Sequence, residues 1–212
     1  MARFILVIIL TFTFLTRTWR LNLPPNYYFD EVYHVVTAQA YAQNNPAGYE
    51  WWHAPPQPGT AYDWLHPPVA KLLQGLSIKI LGDSAFSWRF PSVLFGTITV
   101  YLVYLLAKQL FARRYPPVPI LAAGLFSLDG LNLVQSRITM NDIFLTAFVI
   151  AAVTAFIKFK STSRRRYLIA ASLCTGLAVS TKWTGVYLLP IFAVIELFSL
   201  RVSNLPRYIL AF

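Results

Sequence analysis

The sequence predicts an all-α integral membrane protein, and three observations carry the prediction. The chain is 57% apolar and only 12% charged, whereas soluble domains carry about a quarter charged residues. Its apolar residues gather in runs close to the roughly 20 residues a helix needs to cross a bilayer. Its 18 basic residues fall in short blocks between those runs, a topological pattern rather than a nucleic-acid face. The 16% aromatic content suits interfacial belts of Trp and Tyr.

Six membrane helices follow in order, with the start of a seventh. The first is Arg3–Trp19. Its basic start and apolar Phe4–Leu15 look like a signal peptide, but Thr16-Arg-Thr-Trp-Arg20 replaces the small-x-small cleavage pattern, so an uncleaved helix is expected. The loop from Arg20 to Arg89 (residues 20–89) is too long for a simple connection. It is expected to hold two surface helices. One runs from Asp30 to about Gln43. The other starts after Pro67-Pro68 and runs to Leu81, with Gly82 as its stop. In the second, Val69, Leu72, Leu73, Leu76 and Ile80 share one face and Lys71, Gln74 and Lys79 lie elsewhere, the pattern of an amphipathic helix on a membrane. Asn44–Asp63, rich in Pro, Gly, Trp and Tyr, reads as a loop near the surface. The remaining spans are Phe90–Phe111, Val118–Leu133, Asp142–Phe159, Tyr167–Thr181 and Val186–Leu200. Lys182-Trp-Thr-Gly185 reads as a tight interfacial turn between the last two. Leu205–Phe212 begins the seventh helix.

Charge sets the orientation. With the N-terminus inside, the inner side holds eleven bases against one acid, Glu196, and the outer side seven of each. The whole net charge of +10 is then the positive-inside signal. The expected location is a multi-pass place in the membrane, the plasma (inner) membrane in a prokaryote, with a cytoplasmic N-terminus and the functional site on the outer face.

Charge beside a bilayer must be paired, solvated or used. Asp30 and Glu31 stand together in Asn26-Tyr-Tyr-Phe-Asp-Glu-Val-Tyr-His34. Asp30 has a plain reading as a helix cap. It also has a chemical one, because a carboxylate at a helix N-terminus stays ionised and can accept a hydroxyl proton. Glu31 reads as an orienting neighbour, an acceptor contact or a solvated charge. His66 precedes Pro67, which restricts it to extended geometry. Arg137 and Asp142 flank the turn between the third and fourth spans; either they pair, or the Arg137 fork grips a phosphate, with Lys182 beside it. Asp129 falls within the third span and its role is open. His34 and His53 are too scattered for a metal site, so none is expected. The single Cys174 reads as a plain helix residue.

The chain resembles the protein O-mannosyltransferases, dolichyl-phosphate-mannose-dependent enzymes of the GT-C class, and their relative the lipid A aminoarabinose transferase. The resemblance rests on Phe29-Asp-Glu31, His66-Pro-Pro-Val-Ala-Lys-Leu-Leu73, Ser136-Arg-Ile-Thr-Met-Asn-Asp142 and Gly176-Leu-Ala-Val-Ser-Thr-Lys-Trp-Thr-Gly185. It covers nearly all of the sequence, with the motifs in order. It implies a GT-C N-terminal module across residues 1–212 and an inverting transfer of mannose from a polyprenyl-phosphate donor to a hydroxyl, expected on protein Ser or Thr. By resemblance Asp30 is the catalytic base and Glu31 its neighbour at the acceptor site. Arg137 lies near the donor phosphate with Lys182, and His66 and Asp142 support the site. No cofactor is implied beyond the lipid-linked co-substrate, and divalent-ion dependence stays open. The expected partners are the donor, a protein or lipid acceptor, the bilayer and, as one possibility, a second chain; no nucleic acid is expected. Family members carry about twice as many membrane helices, so an N-terminal fragment or split enzyme is expected. A non-catalytic assembly subunit is the alternative. A transporter is the weaker one, because the polar residues crowd at one surface rather than through the middle of several spans.

Overall fold

The computed structural model describes residues 1–54 and 56–203, with side chains described up to residue 198. The described residues form helices and loops with no strand. The helices are α1 (Ala2–Thr18), α2 (Glu31–Ala42), α3 (Val69–Leu81), α4 (Ala85–Phe111), α5 (Val118–Leu128), α6 (Gly130–Gln135), α7 (Asp142–Thr162), α8 (Arg165–Val179) and α9 (Leu188–Ser203). Single 3₁₀ turns lie at Pro46–Gly48 and Trp183–Tyr187. The expected seventh helix, Leu205–Phe212, lies outside the described residues.

Two helices, α4 and α7, are long and apolar enough to cross a membrane. Their 27 and 21 residues rise about 40 and about 31 Å, against a hydrocarbon core of about 30 Å. α5 packs with α1 and α4 around Leu6, Val100, Tyr104 and Ala123. α7 packs with α8 and α9 around Ala152, Ala178 and Leu188. Ala70 of α3 reaches Ile143 and Phe144 of α7, and Phe95 of α4 completes that cluster.

The structure differs from the sequence expectations at two helices. α4 begins at Ala85, not Phe90, because Ser84 and Ser87 form a reciprocal capping box there. That places Pro91 inside the helix. Proline has no N–H for the carbonyl of Ser87, and the Ser77 hydroxyl donates to that carbonyl instead, at 2.7 Å. The predicted single helix Val118–Leu133 is two helices that meet at Asp129. Asp129 is exposed, and its side chain caps α6 by accepting from the Asn132 N–H at 2.7 Å.

α3 presents its apolar residues outward and its polar ones inward. Leu72, Leu76 and Ile80 are exposed, while Lys71, Gln74 and Ser77 are buried against the protein. A soluble helix would do the reverse. The 136–141 segment between α6 and α7 is buried at Ser136 and from Ile138 to Asn141. It lies so close to α4 that a Cβ added to Gly96 would meet the Ser136 side chain at 2.1 Å, so only glycine fits there.

Candidate functional site

The site is a polar layer where helix ends meet. It contains the C-terminus of α1, the first turns of α2, α4 and α7, and the turn after α8. Hydrogen bonds through the 136–142 segment join them. A buried loop must satisfy its own polar groups, and here it does so partly on two buried carboxylates.

The first carboxylate is Glu31, fully buried at the start of α2. Arg89 meets it fork to fork, with Nε on Oε1 at 2.8 Å and Nη2 on Oε2 at 2.7 Å. The other Arg89 donors reach the carbonyls of Leu21, Pro24 and Asn26, so all five N–H groups are used. Glu31 also accepts the backbone N–H groups of Tyr28 and Thr139. Such a pair is stable only when every donor and acceptor is matched, and this one is matched throughout.

The second carboxylate is Asp63, which the sequence reading counted only as an outer acid. It is 5% exposed. Lys71 Nζ donates to its Oδ2 at 3.1 Å, and His66 Nδ1 lies 3.0 Å from Oδ1. Asn141 Nδ2 donates to Oδ2 at 3.4 Å. His34 Nδ1 is 2.9 Å from Oδ2. Burial alone would raise the Asp63 carboxyl, but His34, Lys71 and His66 outweigh it and hold the group well below the usual carboxylate range. Burial pushes the Lys71 ammonium down, and Asp63 partly offsets this. Two local signals pointed to this cluster: the Asp63-x-x-His66 spacing, and Lys71 lying off the apolar face of α3. The His34 and Asn141 partners are far along the chain and leave no such signal.

The remaining candidates divide between free and committed groups. Asp30 precedes α2 but makes no side-chain cap, and its half-buried carboxylate has no hydrogen bond or ion pair among the described residues. The capping reading is therefore not what the geometry shows. Arg137 donates to the carbonyls of Thr16 at 2.6 Å and Trp19 at 2.8 Å, closing the end of α1. Its other three N–H groups have no partner among the described residues. Burial, then the Arg89 charge nearby, lower the Arg137 guanidinium from its ordinary value. Asp142 pairs with Lys182, at 2.7 Å, and not with Arg137. His66 forms part of the wall of a cavity of about 610 Å³. Among the described residues no group of three or more His, Cys, Asp or Glu side chains is arranged to hold a metal ion.

A profile of the family described as dolichyl-phosphate-mannose-protein mannosyltransferase matches residues 7–206. The chain belongs to that family. It is similar to a polyprenol-phosphate-mannose–protein mannosyltransferase of Mycobacterium tuberculosis, with 33% identity over 63% of this chain and 30% of the relative. The one from Corynebacterium glutamicum is 29% identical over 63% of this chain and 30% of the relative. Dolichyl-phosphate-mannose–protein mannosyltransferase 1 of Candida albicans is 29% identical over 84% of this chain and 21% of the relative. The chain thus spans less than a third of the length of these relatives.

The Asp63 cluster has a testable pH signature. A carboxyl held low in the folded state contributes stability above the unfolded pKa, and loses it as pH falls toward the folded value. The native protein is expected to be more stable than Asp63→Asn at about pH 7, and the gap to narrow at about pH 3. Thermal unfolding in detergent at both values checks this. A gap that does not change with pH would show that Asp63 is not ionised in the fold.

Proposed function

We propose that this chain forms the N-terminal part of an inverting glycosyltransferase that moves mannose from a polyprenyl-phosphate donor to a protein Ser or Thr hydroxyl. The observation that carries the mechanism is the contrast between adjacent acids. Glu31 is locked by four donors, whereas Asp30 beside it is free and partly exposed. Asp30 takes the hydroxyl proton as the acceptor oxygen attacks the anomeric carbon. The bond from that carbon to the phosphate oxygen breaks, and the lipid phosphate leaves with the bonding electrons. Glu31 does not touch substrate in this reading; it fixes the backbone that carries Asp30. Arg137, with three uncommitted N–H groups and Arg89 nearby, supplies positive charge for the leaving phosphate. Lys182 reinforces that charge through its turn, and Asp142 holds Lys182 in place. His66 supports the acceptor side.

In the same reading α1, α4, α5 with α6, α7, α8 and α9 make six crossings, with the N-terminus inside. The outward apolar face of α3 rests on lipid. Support comes from the polar layer, which gathers the helix ends that the charge pattern assigns to the outer side.

The mechanism is tested in the complete protein with a polyprenyl-phosphate-mannose donor and an acceptor peptide. Asp30→Asn keeps the shape and loses the proton acceptor, and is expected to slow transfer by about a hundredfold to ten-thousandfold without unfolding. Arg137→Lys keeps the charge and loses the fork, and is expected to weaken donor use, with Arg137→Ala worse. Normal transfer by folded Asp30→Asn refutes the base assignment, and wild-type donor binding by Arg137→Ala refutes the phosphate role.

The topology is tested by cysteine labelling of intact cells on a Cys174→Ser background. An impermeant reagent is expected to label a cysteine at Thr60 and not one at Ser163. The reverse pattern would overturn the orientation and the face assigned to the site.

A further inference from the structure

The cavity of about 610 Å³ beside His66 is not used by the chemistry above. Its volume lies in the usual range of about 300–1,000 Å³ for binding sites. Tyr41, Tyr49, Trp64 and Trp183 line it, with Pro67 and His66. It is built, not incidental. Gly48 lets the Tyr41 ring lie against the backbone, where an added Cβ would come within 2.8 Å of that ring. Trp64 Nε1 donates to the Ala47 carbonyl at 3.2 Å, and Trp183 Nε1 to the Leu65 carbonyl at 2.8 Å. His66 Nδ1 is held by Asp63, which leaves Nε2 without a partner among the described residues.

The lining holds no Lys or Arg. Its one carboxylate, Asp63, is already matched by Lys71. Burial, then Asp63 and Tyr49, push the Tyr41 phenol up, so it stays neutral. A phosphate has no counter-charge here, and the chemistry favours a neutral, largely apolar group. Aromatic-lined walls are also what some grooves for extended peptides present.

Position relative to Asp30 sharpens the identity. Asp30 precedes α2, and Tyr41 lies eleven residues later near its end. At 1.5 Å per residue Tyr41 is about 16 Å along the helix, while the near wall, Asp63 and His66, packs on His34, about 6 Å along it. An extended peptide covers about 6–16 Å in about two to five residues at about 3.3 Å each.

We propose that the cavity is a specificity subsite for the acceptor polypeptide, taking an aromatic or other large apolar side chain about two to five residues from the hydroxyl that receives the sugar. The proposal rests on the reading of Asp30 as the base. His66 Nε2 accepts a hydrogen bond from the passing peptide, and the aromatic rings hold the side chain.

The test uses the complete protein and a series of peptides with one Thr and one Trp, the Trp moved from two to eight residues away on either side. Binding without donor and transfer with donor are both measured. The native protein is expected to prefer Trp at one spacing of about two to five residues on one side, by about tenfold in kcat/KM over Ala at the same place. Tyr49→Ala, which removes an exposed ring, is expected to reduce that ratio to about one. The effect should fall on KM and on peptide binding rather than on kcat. No dependence on Trp position in the native protein overturns the proposal. So does a Tyr49→Ala loss that is equal for all peptides, or one that appears in donor KM, which would mark a lipid or sugar occupant. Asp30→Asn is run alongside. If it is inactive and the Trp series is flat, the subsite fails and the base assignment stands. If it transfers normally, the base assignment fails whatever the series shows.

Discussion

Two carboxylates taken out of water impose the main constraint on this structure. Glu31 and Asp63 lie at most 5% exposed, and an unmatched charge there costs several kcal/mol. Each therefore recruits partners from distant parts of the chain. Arg89 brings the start of α4 to the start of α2, and its spare donors tie down the loop at Leu21, Pro24 and Asn26. Lys71 brings α3 to Asp63. The 136–142 segment touches both centres, through the Thr139 N–H on Glu31 and the Asn141 amide on Asp63. Gly96 makes room for that segment against α4.

The same arrangement explains how two neighbouring acids come to differ. Glu31 spends all its acceptor capacity on the fold, with four donors on its two oxygens. Asp30, one residue earlier, inherits a fixed backbone and keeps its carboxylate open. A general base needs both properties, a defined place and a free lone pair. Arg137 shows a related economy. Two donors close α1, and the other three have no partner among the described residues.

Much of the helical layout could be read from local pattern. α2 and α3 begin and end within a residue or two of the positions that Asp30, the Pro67-Pro68 pair and Gly82 indicated. The turn at Lys182–Gly185 lies where Gly and the interfacial residues placed it, as a 3₁₀ segment. The errors came from partners that pattern does not show. The span placed at Phe90–Phe111 starts five residues earlier, at Ala85, where Ser84 and Ser87 cap each other and Ser77 supplies the hydrogen bond that Pro91 leaves unmade. Asp129 passed as one polar residue within an apolar run, whereas its side chain caps a new helix. At the site, Asp30 was visible because it adjoins a helix start. Glu31 stayed open among three readings, orienting neighbour included, because its partner Arg89 lies 58 residues away. Asp63 was missed for the same reason, since His34 and Asn141 reach it from other segments.

The central claim is that a rigid Glu31–Arg89 pair presents a free Asp30 to the acceptor hydroxyl. A structure of the complete protein with an acceptor peptide and an unreactive donor analogue tests it most directly. The account predicts the hydroxyl oxygen within about 2.6–3.2 Å of an Asp30 carboxylate oxygen, with Arg89 still on Glu31. A hydroxyl seated on another base, or a Glu31 released from Arg89 to meet it, would contradict the account.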